Sequence, residues 1–286
     1  MMSNRKFFRN LFLFLLTIPV FLFIFFPVLW LFMASLSTQV ELFTVPPHWI
    51  PQHPTLQNYL DIFFPSLAAS SVPRTFAVSL LNSMKIASAV TLICIVVGSL
   101  AAYALVRIPF KFNHTIQMGI LGIRMIPEIS LVLPLFIIAS SLQLINKPIV
   151  LILTYLSFAL PYAIWLMAAY FQTIPKELEE AARLDGCTRL GILFRVVMPI
   201  SIPGLVSTAM FVFLLAWDEF FFALIFTNTL AAKTVPVAIA EFVGRYAVNI
   251  TGMMAGGILA AVPPVLVALI FQRYIVSGIT AGAVKG

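Results

Sequence analysis

Charge is what this chain has least of. Asp, Glu, Lys and Arg make up 9% of its 286 residues and hydrophobic residues 62%, whereas a soluble domain carries about 25% charged residues. Polar surface is too scarce to clothe a water-soluble globule of this size, so lipid is the expected solvent. Cysteine and histidine are equally sparse. Cys94 falls inside an apolar stretch and Cys187 inside a charged one, environments that oppose a structural disulfide between them. His48, His53 and His114 are scattered and belong to no cluster with metal-ligand spacing, which leaves no metal site to be read. A Gly-rich loop ending in Lys-Ser/Thr is missing too, so the chain is not expected to hydrolyse ATP itself. Duplicated halves and a deep histidine beside a nucleophile are also lacking, which weighs against an ion-driven secondary transporter and against an intramembrane enzyme.

Long apolar runs are what the sequence does have. They fall at about 11–36, 76–106, 115–143, 148–171, 200–228 and 251–275, and each reaches the roughly 20 helical residues needed to cross a hydrocarbon core. Continuous Leu, Ile, Val and Phe, rather than a two-residue alternation, favours helices over a transmembrane barrel. The expected fold class is therefore all-α, a polytopic membrane protein with six transmembrane helices and both termini on one side. Its parts are an amino-terminal segment 1–10, a first span with an outer loop 11–75, and a core of five spans 76–286 that carries an inner loop at 172–199. A cleaved signal peptide is disfavoured, because the first apolar run exceeds the usual length of about 7–15 residues and no small-residue cleavage site follows. Eleven Lys and Arg residues fall in the segments placed inside and four in those placed outside, so the termini and the 172–199 loop are expected in the cytoplasm. This asymmetry accounts for the net charge of +7, and no nucleic-acid partner is inferred from it.

The inner loop carries the one long charged run, Pro175-Lys-Glu-Leu-Glu-Glu-Ala-Ala-Arg-Leu-Asp-Gly186. Pro175 fits the first helical position, Glu177, Glu179 and Glu180 suit the positive helix start, and Gly186 suits its end. Ala181 and Ala182 leave a smooth flank for close approach. Charges inside the spans are few: Lys85, Arg124, Glu128, Asp218 and Glu219. Arg124 and Glu128 are spaced to pair on one helix face. Asp218 and Glu219 diverge by about 100° on a helix, and Trp217 can stack on a sugar ring or pack between helices. Outside, the proline- and aromatic-rich 37–75 segment resists regular helix until about Gln57, after which a short turn on the membrane surface or a plain connector is expected.

The residues Glu180-Ala-Ala, Gly186 and Val196-Val-Met-Pro199 resemble the EAA loop of binding-protein-dependent ABC importer permeases, E-A-A-x3-G-x9-I-x-L-P, with Val196 for Ile and Met198 for Leu. Pro54-Thr-Leu-Gln-Asn-Tyr59, Asn82-Ser83, Arg124-Met-Ile-Pro127, Trp217-Asp-Glu-Phe220 and the tail from Gly278 extend the likeness to the sugar-permease branch, the maltose permeases among them. The family commonly has Asn where Asp218 stands. This resemblance implies a type I permease fold in the cell inner membrane and a heteromeric importer. Its partners would be a second permease subunit, two ATPase subunits that hold ATP and magnesium, an extracytoplasmic solute-binding protein and membrane lipid; this chain would bind no cofactor. Glu180, Ala181, Ala182, Arg183, Asp185, Gly186 and Pro199 would dock on the ATPase. Asn82, Arg124, Glu128, Trp217, Asp218 and Glu219 would be the candidates to line the pathway. The cargo implied is a di- or oligosaccharide or a glycerol phosphate-like sugar, with a polyamine or phosphate as the alternative.

Overall fold

A run of 24 apolar residues must satisfy its backbone within itself once in lipid, and the helix is the form that does so at once. The computed structural model describes residues 2–46, 48–64, 72–123, 125–243 and 249–283, all-helical apart from loops. In chain order the helices are α1 Met2–Ser35, α2 Gln39–Leu42, α3 Gln57–Phe63, α4 Val72–Arg107, α5 Asn113–Ile123, α6 Glu128–Ser141, α7 Pro148–Gln172, α8 Lys176–Leu184 and α9 Arg189–Ile192. A π turn at Leu193–Val197 follows, then α10 Met198–Ile200, α11 Ile202–Trp217, α12 Phe221–Phe226, α13 Val235–Ala240 and α14 Ile250–Ala283. Among the described residues, Phe12–Ser35, Phe76–Arg107, Pro148–Gln172 and Ile250–Tyr274 are each long and apolar enough to cross a membrane.

The third and fifth expected spans are broken rather than continuous. Between α5 and α6 lies a break around Pro127, and Arg124 itself is outside the described residues, as is its expected pairing with Glu128. Helix α11 meets the segment before it at 81° and ends at Trp217, with α12 resuming at Phe221. Counting each bent pair as one span gives six. Prolines mark the break at Pro127 and the bend before α11: each removes a backbone donor and crowds the preceding turn, as Pro199 does before the bend and Pro203 just after the start of α11; the gap between Trp217 and Phe221 holds none.

The chain forms two compact units, one from residues 1–77 and 239–261, the other from 78–238 and 262–286. In the first, the Pro-Thr-Leu-Gln-Asn-Tyr stretch closes the exit of α1. The Asn58 amide donates to the carbonyls of Ser35 at 2.8 Å and Ser37 at 3.0 Å, the Thr55 N–H donates to the Leu36 carbonyl at 2.8 Å, and the Tyr59 hydroxyl lies 2.6 Å from Ser35 Oγ. These bonds satisfy carbonyls that a helix end leaves unpaired. In the second unit α4, α7 and α11 supply the core. The rings of Tyr162 and Phe211 stack at 4.1 Å, and at Gly204 a Cβ would come within 2.4 Å of the Tyr170 ring. A glycine there lets the start of α11 close onto α7. Asn82 and Ser83 fasten the segment before α13: the Asn82 amide donates to the Leu230 and Lys233 carbonyls at 3.0 and 3.1 Å, and Ser83 Oγ accepts from the Val235 N–H at 2.9 Å.

Candidate functional site

The charged loop folds as a short helix bolted to the ends of two long ones. Pro175 sits at the N-cap of α8, one residue earlier than its preference for the first turn implies, and Glu177 and Glu179 occupy the first turn. Positions three apart share a helix face, and here Glu179 and Ala182 turn inward while Glu180, Ala181, Arg183, Leu184 and Asp185 remain exposed. The inward face joins Tyr103, Met167, Phe171, Ile174 and Val197 in one apolar cluster. Ala182, expected on the docking surface, thus makes its close approach to the bundle, and Ala181 alone of the pair is left outward.

Burying Glu179 requires a counter-charge, and the last residue of α4 supplies it. Arg107 Nε donates to Glu179 Oε1 at 2.6 Å, with the two side chains 6% and 4% exposed. The Tyr103 hydroxyl donates to the other carboxylate oxygen at 3.0 Å. Arg107 Nη2 donates in turn to the Phe171 carbonyl at 3.0 Å and the Ile174 carbonyl at 2.7 Å. Those carbonyls belong to the end of α7, where backbone acceptors lack partners and the helix dipole favours a cation. One guanidinium therefore joins α4, the end of α7 and α8. Sequence reasoning assigned Glu179 only to the helix start and missed Arg107 and Tyr103. The sequence held no signal for this joint, because its partners lie 72 positions apart.

The far end of α8 turns sharply. The Gly186 N–H donates to the Arg183 carbonyl and the Cys187 N–H to the Ala182 carbonyl, both at 3.0 Å, with Gly186 at φ +82. This is the Schellman arrangement, and its left-handed position is open to glycine without a Cβ penalty. Thr188 Oγ1 then caps α9 by accepting from the Gly191 N–H at 3.2 Å. The π turn, Pro199 and the bend carry the chain into α11, and Ser201 Oγ donates to the Val197 carbonyl at 2.7 Å at the corner. Pro199 is exposed on that corner. The outer surface of the elbow bears Leu184, 90% exposed, with Leu178, Leu190 and Phe194 also exposed and the charged flank of α8 beside them.

The other sequence-derived candidates separate. Glu128 is exposed at the first turn of α6 and shares a small cleft with Leu131, Ser157, Phe158, Leu215 and Phe222. Asp218 is exposed just past the end of α11. Glu219 lies on no continuous helix: its carboxylate accepts from the N–H groups of Phe222 at 2.8 Å and Ala223 at 3.1 Å, capping α12, and faces the Tyr155 hydroxyl. Trp217 is 3% exposed and stacks on Phe213 at 5.7 Å, so its ring is packed within the bundle. Asn82 is buried and bonded as described above. Cys94 is buried and Cys187 half-buried, both free thiols.

Comparison with known proteins agrees with this architecture. Residues 94–281 match the family of binding-protein-dependent transport system inner membrane components. The chain is 40% identical to the trehalose/maltose transport system permease protein MalG of Thermococcus litoralis, over 91% of each chain. It is 38% identical to the sulfoquinovosyl glycerol transport system permease protein SmoH of Agrobacterium fabrum, covering 91% of this chain and 89% of that one. With the trehalose transport system permease protein SugB of Mycobacterium tuberculosis the identity is 41%, over 91% and 92%. Among solved structures, a chain of a bacterial ABC transporter involved in the import of the acidic polysaccharide alginate superposes with a TM-score of 0.78 at 19% identity, over 95% of this chain and 98% of that one. That likeness establishes the all-α permease fold. With the family match over residues 94–281 and relatives 38–41% identical over 91% of its length, this chain belongs to the binding-protein-dependent transport system inner membrane components, the permease subunits of ABC importers.

Proposed function

We propose that the chain is the sugar-translocating permease subunit of a heteromeric importer, and that the α8 elbow is where an ATPase subunit docks. The observation that carries this reading is the buried Arg107–Glu179 pair, which makes the exposed Glu180, Ala181, Arg183, Leu184, Asp185 and Gly186 a rigid extension of α4 and α7. ATP with magnesium, held by two partner ATPases, supplies the free energy. The residues of this chain receive the displacement. A push on α8 moves the ends of α4 and α7 through the guanidinium, and moves α11 through the elbow, the π turn and Pro199. Helices of a packed bundle shift as rigid bodies between two arrangements, so that displacement biases inward- and outward-facing states whose populations set access to the pathway.

A second permease subunit, a solute-binding protein outside and both termini in the cytoplasm complete this reading. It takes its sugar assignment from the relatives that transport trehalose, maltose and sulfoquinovosyl glycerol. Glu128 and Asp218, both exposed, are the residues it keeps as pathway candidates, whereas Asn82, Trp217 and Glu219 have structural partners. The test is affinity purification from the native membrane followed by reconstitution. Recovery of an ATPase and a second permease, with sugar-stimulated ATP turnover, is the expected result. Solute movement by this polypeptide alone, driven by an ion gradient, overturns the proposal, and stimulation by a polyamine or phosphate instead of sugars overturns the sugar assignment.

A further inference from the structure

No Asp, Glu, Lys or Arg occurs between Glu41 and Asp61. The exposed polar side chains of this stretch are confined to Gln52, His53 and Gln57, while Phe43, Val45, Ile50 and Leu56 are 62%, 94%, 73% and 64% exposed. The acid at its start is turned inward: Glu41 is 8% exposed, and its carboxylate accepts from the Gln52 N–H. The loop also folds back along α1. Trp49 packs edge-on against Trp30 at 4.9 Å and tilted against Phe26 at 5.6 Å. Trp30 and Phe26 precede the end of α1 at Ser35 by five and nine residues, which at about 1.5 Å per residue is roughly 7 and 13 Å below it. At that level the exposed side chains of α1 are Phe25, Leu29 and Phe32, and no charged residue lies between Arg9 and Glu41. Trp49 therefore sits against a surface suited only to hydrocarbon.

We infer that residues 43–46 and 48–64 are an interfacial anchor, seated in the boundary between headgroups and acyl chains at the Ser35 end of α1. A Trp with one apolar face and an indole N–H suits that layer, and a seating depth of about 5–10 Å is what an interfacial apolar face reaches. Its hydrogen bonds to the α1 exit hold the loop in place: Asn58 to Ser35 and Ser37, and the Thr55 N–H to Leu36. Without Lys or Arg the segment carries no fixed positive charge, so its seating is not driven by anionic lipid. This inference rests on the membrane embedding of α1 and is separate from the identity of the cargo.

The test uses the purified complex in nanodiscs, with Cys94 and Cys187 replaced by Ala and a nitroxide attached at Val45→Cys or Ile50→Cys. Both positions are exposed, so the label leaves the fold intact. Collisions with oxygen, which concentrates in lipid, are compared with those of a water-soluble nickel chelate, and the same nitroxide on free cysteine in buffer serves as the aqueous reference. The expected result is an oxygen-to-nickel ratio several-fold above the reference at both sites, equal in phosphatidylcholine and phosphatidylglycerol discs. A ratio equal to that of the reference overturns the anchor. Nickel access that is high in the complex and lost only when the solute-binding protein is added also overturns it, because the segment is then a protein-docking surface.

Discussion

Glu179→Ala is the most informative single change in this molecule. It leaves the Arg107 guanidinium, 6% exposed, with two carbonyl acceptors and no counter-charge. Breaking one side of a buried pair costs about 3–5 kcal/mol, and Arg107→Met, which strands the Glu179 carboxylate, is expected to cost the same. Replacing both, as Arg107→Met with Glu179→Ala, removes both buried charges at once. What remains is the loss of the donor to the Phe171 and Ile174 carbonyls and of the acceptor for the Tyr103 hydroxyl, about 1–3 kcal/mol each. At the low end of each range the single losses sum to about 6 kcal/mol and the double loses about 2, which leaves a coupling of about 4 kcal/mol. Stability is marginal in any domain, so thermal unfolding of the complex in nanodiscs should register each single variant clearly and show the double partly restored.

The same variants separate holding from transmitting. Glu179→Gln keeps the shape of the side chain and an acceptor for Arg107 Nε, so the complex should assemble, with basal ATP turnover retained. Substrate-stimulated turnover should fall toward the basal rate, because a neutral amide holds α8 less firmly against α4 and α7. The apolar double variant should recover stability without recovering stimulation, since no guanidinium then reaches the α7 carbonyls. Wild-type melting and stimulation in Glu179→Ala, with strictly additive losses in the double, would refute the reasoning. The pair would then be an ordinary surface bridge, worth about 0–1 kcal/mol.

Three further outcomes are expected. Gly186 has φ +82 and open space where a Cβ would stand, so Gly186→Val should cost about 1–3 kcal/mol of backbone strain and Gly186→Asn much less; equal loss of stimulated ATP turnover in the two would show that the left-handed turn is not what matters. Gly204→Ala drives a Cβ to 2.4 Å from the Tyr170 ring, an overpacking of about 1–3 kcal/mol that Tyr170→Ala should relieve in the double variant, as read by the melting midpoint. Thr188→Cys, made with Cys187→Ala, should react with a membrane-impermeant thiol reagent from the cytoplasmic side alone, and labelling of intact cells from outside would reverse the topology.

How much of this was legible beforehand differs by length scale. The apolar runs announced helices because lipid leaves the backbone no other partner, and the short helix with its stop at Gly186 followed from local chemistry alone. Breaks in the third and fifth spans were harder, since Pro127, Pro199 and Pro203 lower helical preference without saying whether a neighbour compensates. The Asp218-Glu219 reading presumed one continuous helix, whereas Glu219 caps the next one, so the two separate for a different reason. Least legible was the joint at Arg107, which unites residues 72 positions apart and has no periodic signature. A positive residue at the end of a span reads equally as a topogenic charge, and only the fold shows that its partner lies in the elbow. Arg107 can serve both ends. A guanidinium retained on one side by the cost of crossing the bilayer is, by the same placement, at the level where α7 exposes its last carbonyls and where α8 must be held. The charge that orients α4 is thus available to couple it, and this explains why the joint is built from an ion pair rather than from more of the apolar packing that is abundant elsewhere in the chain.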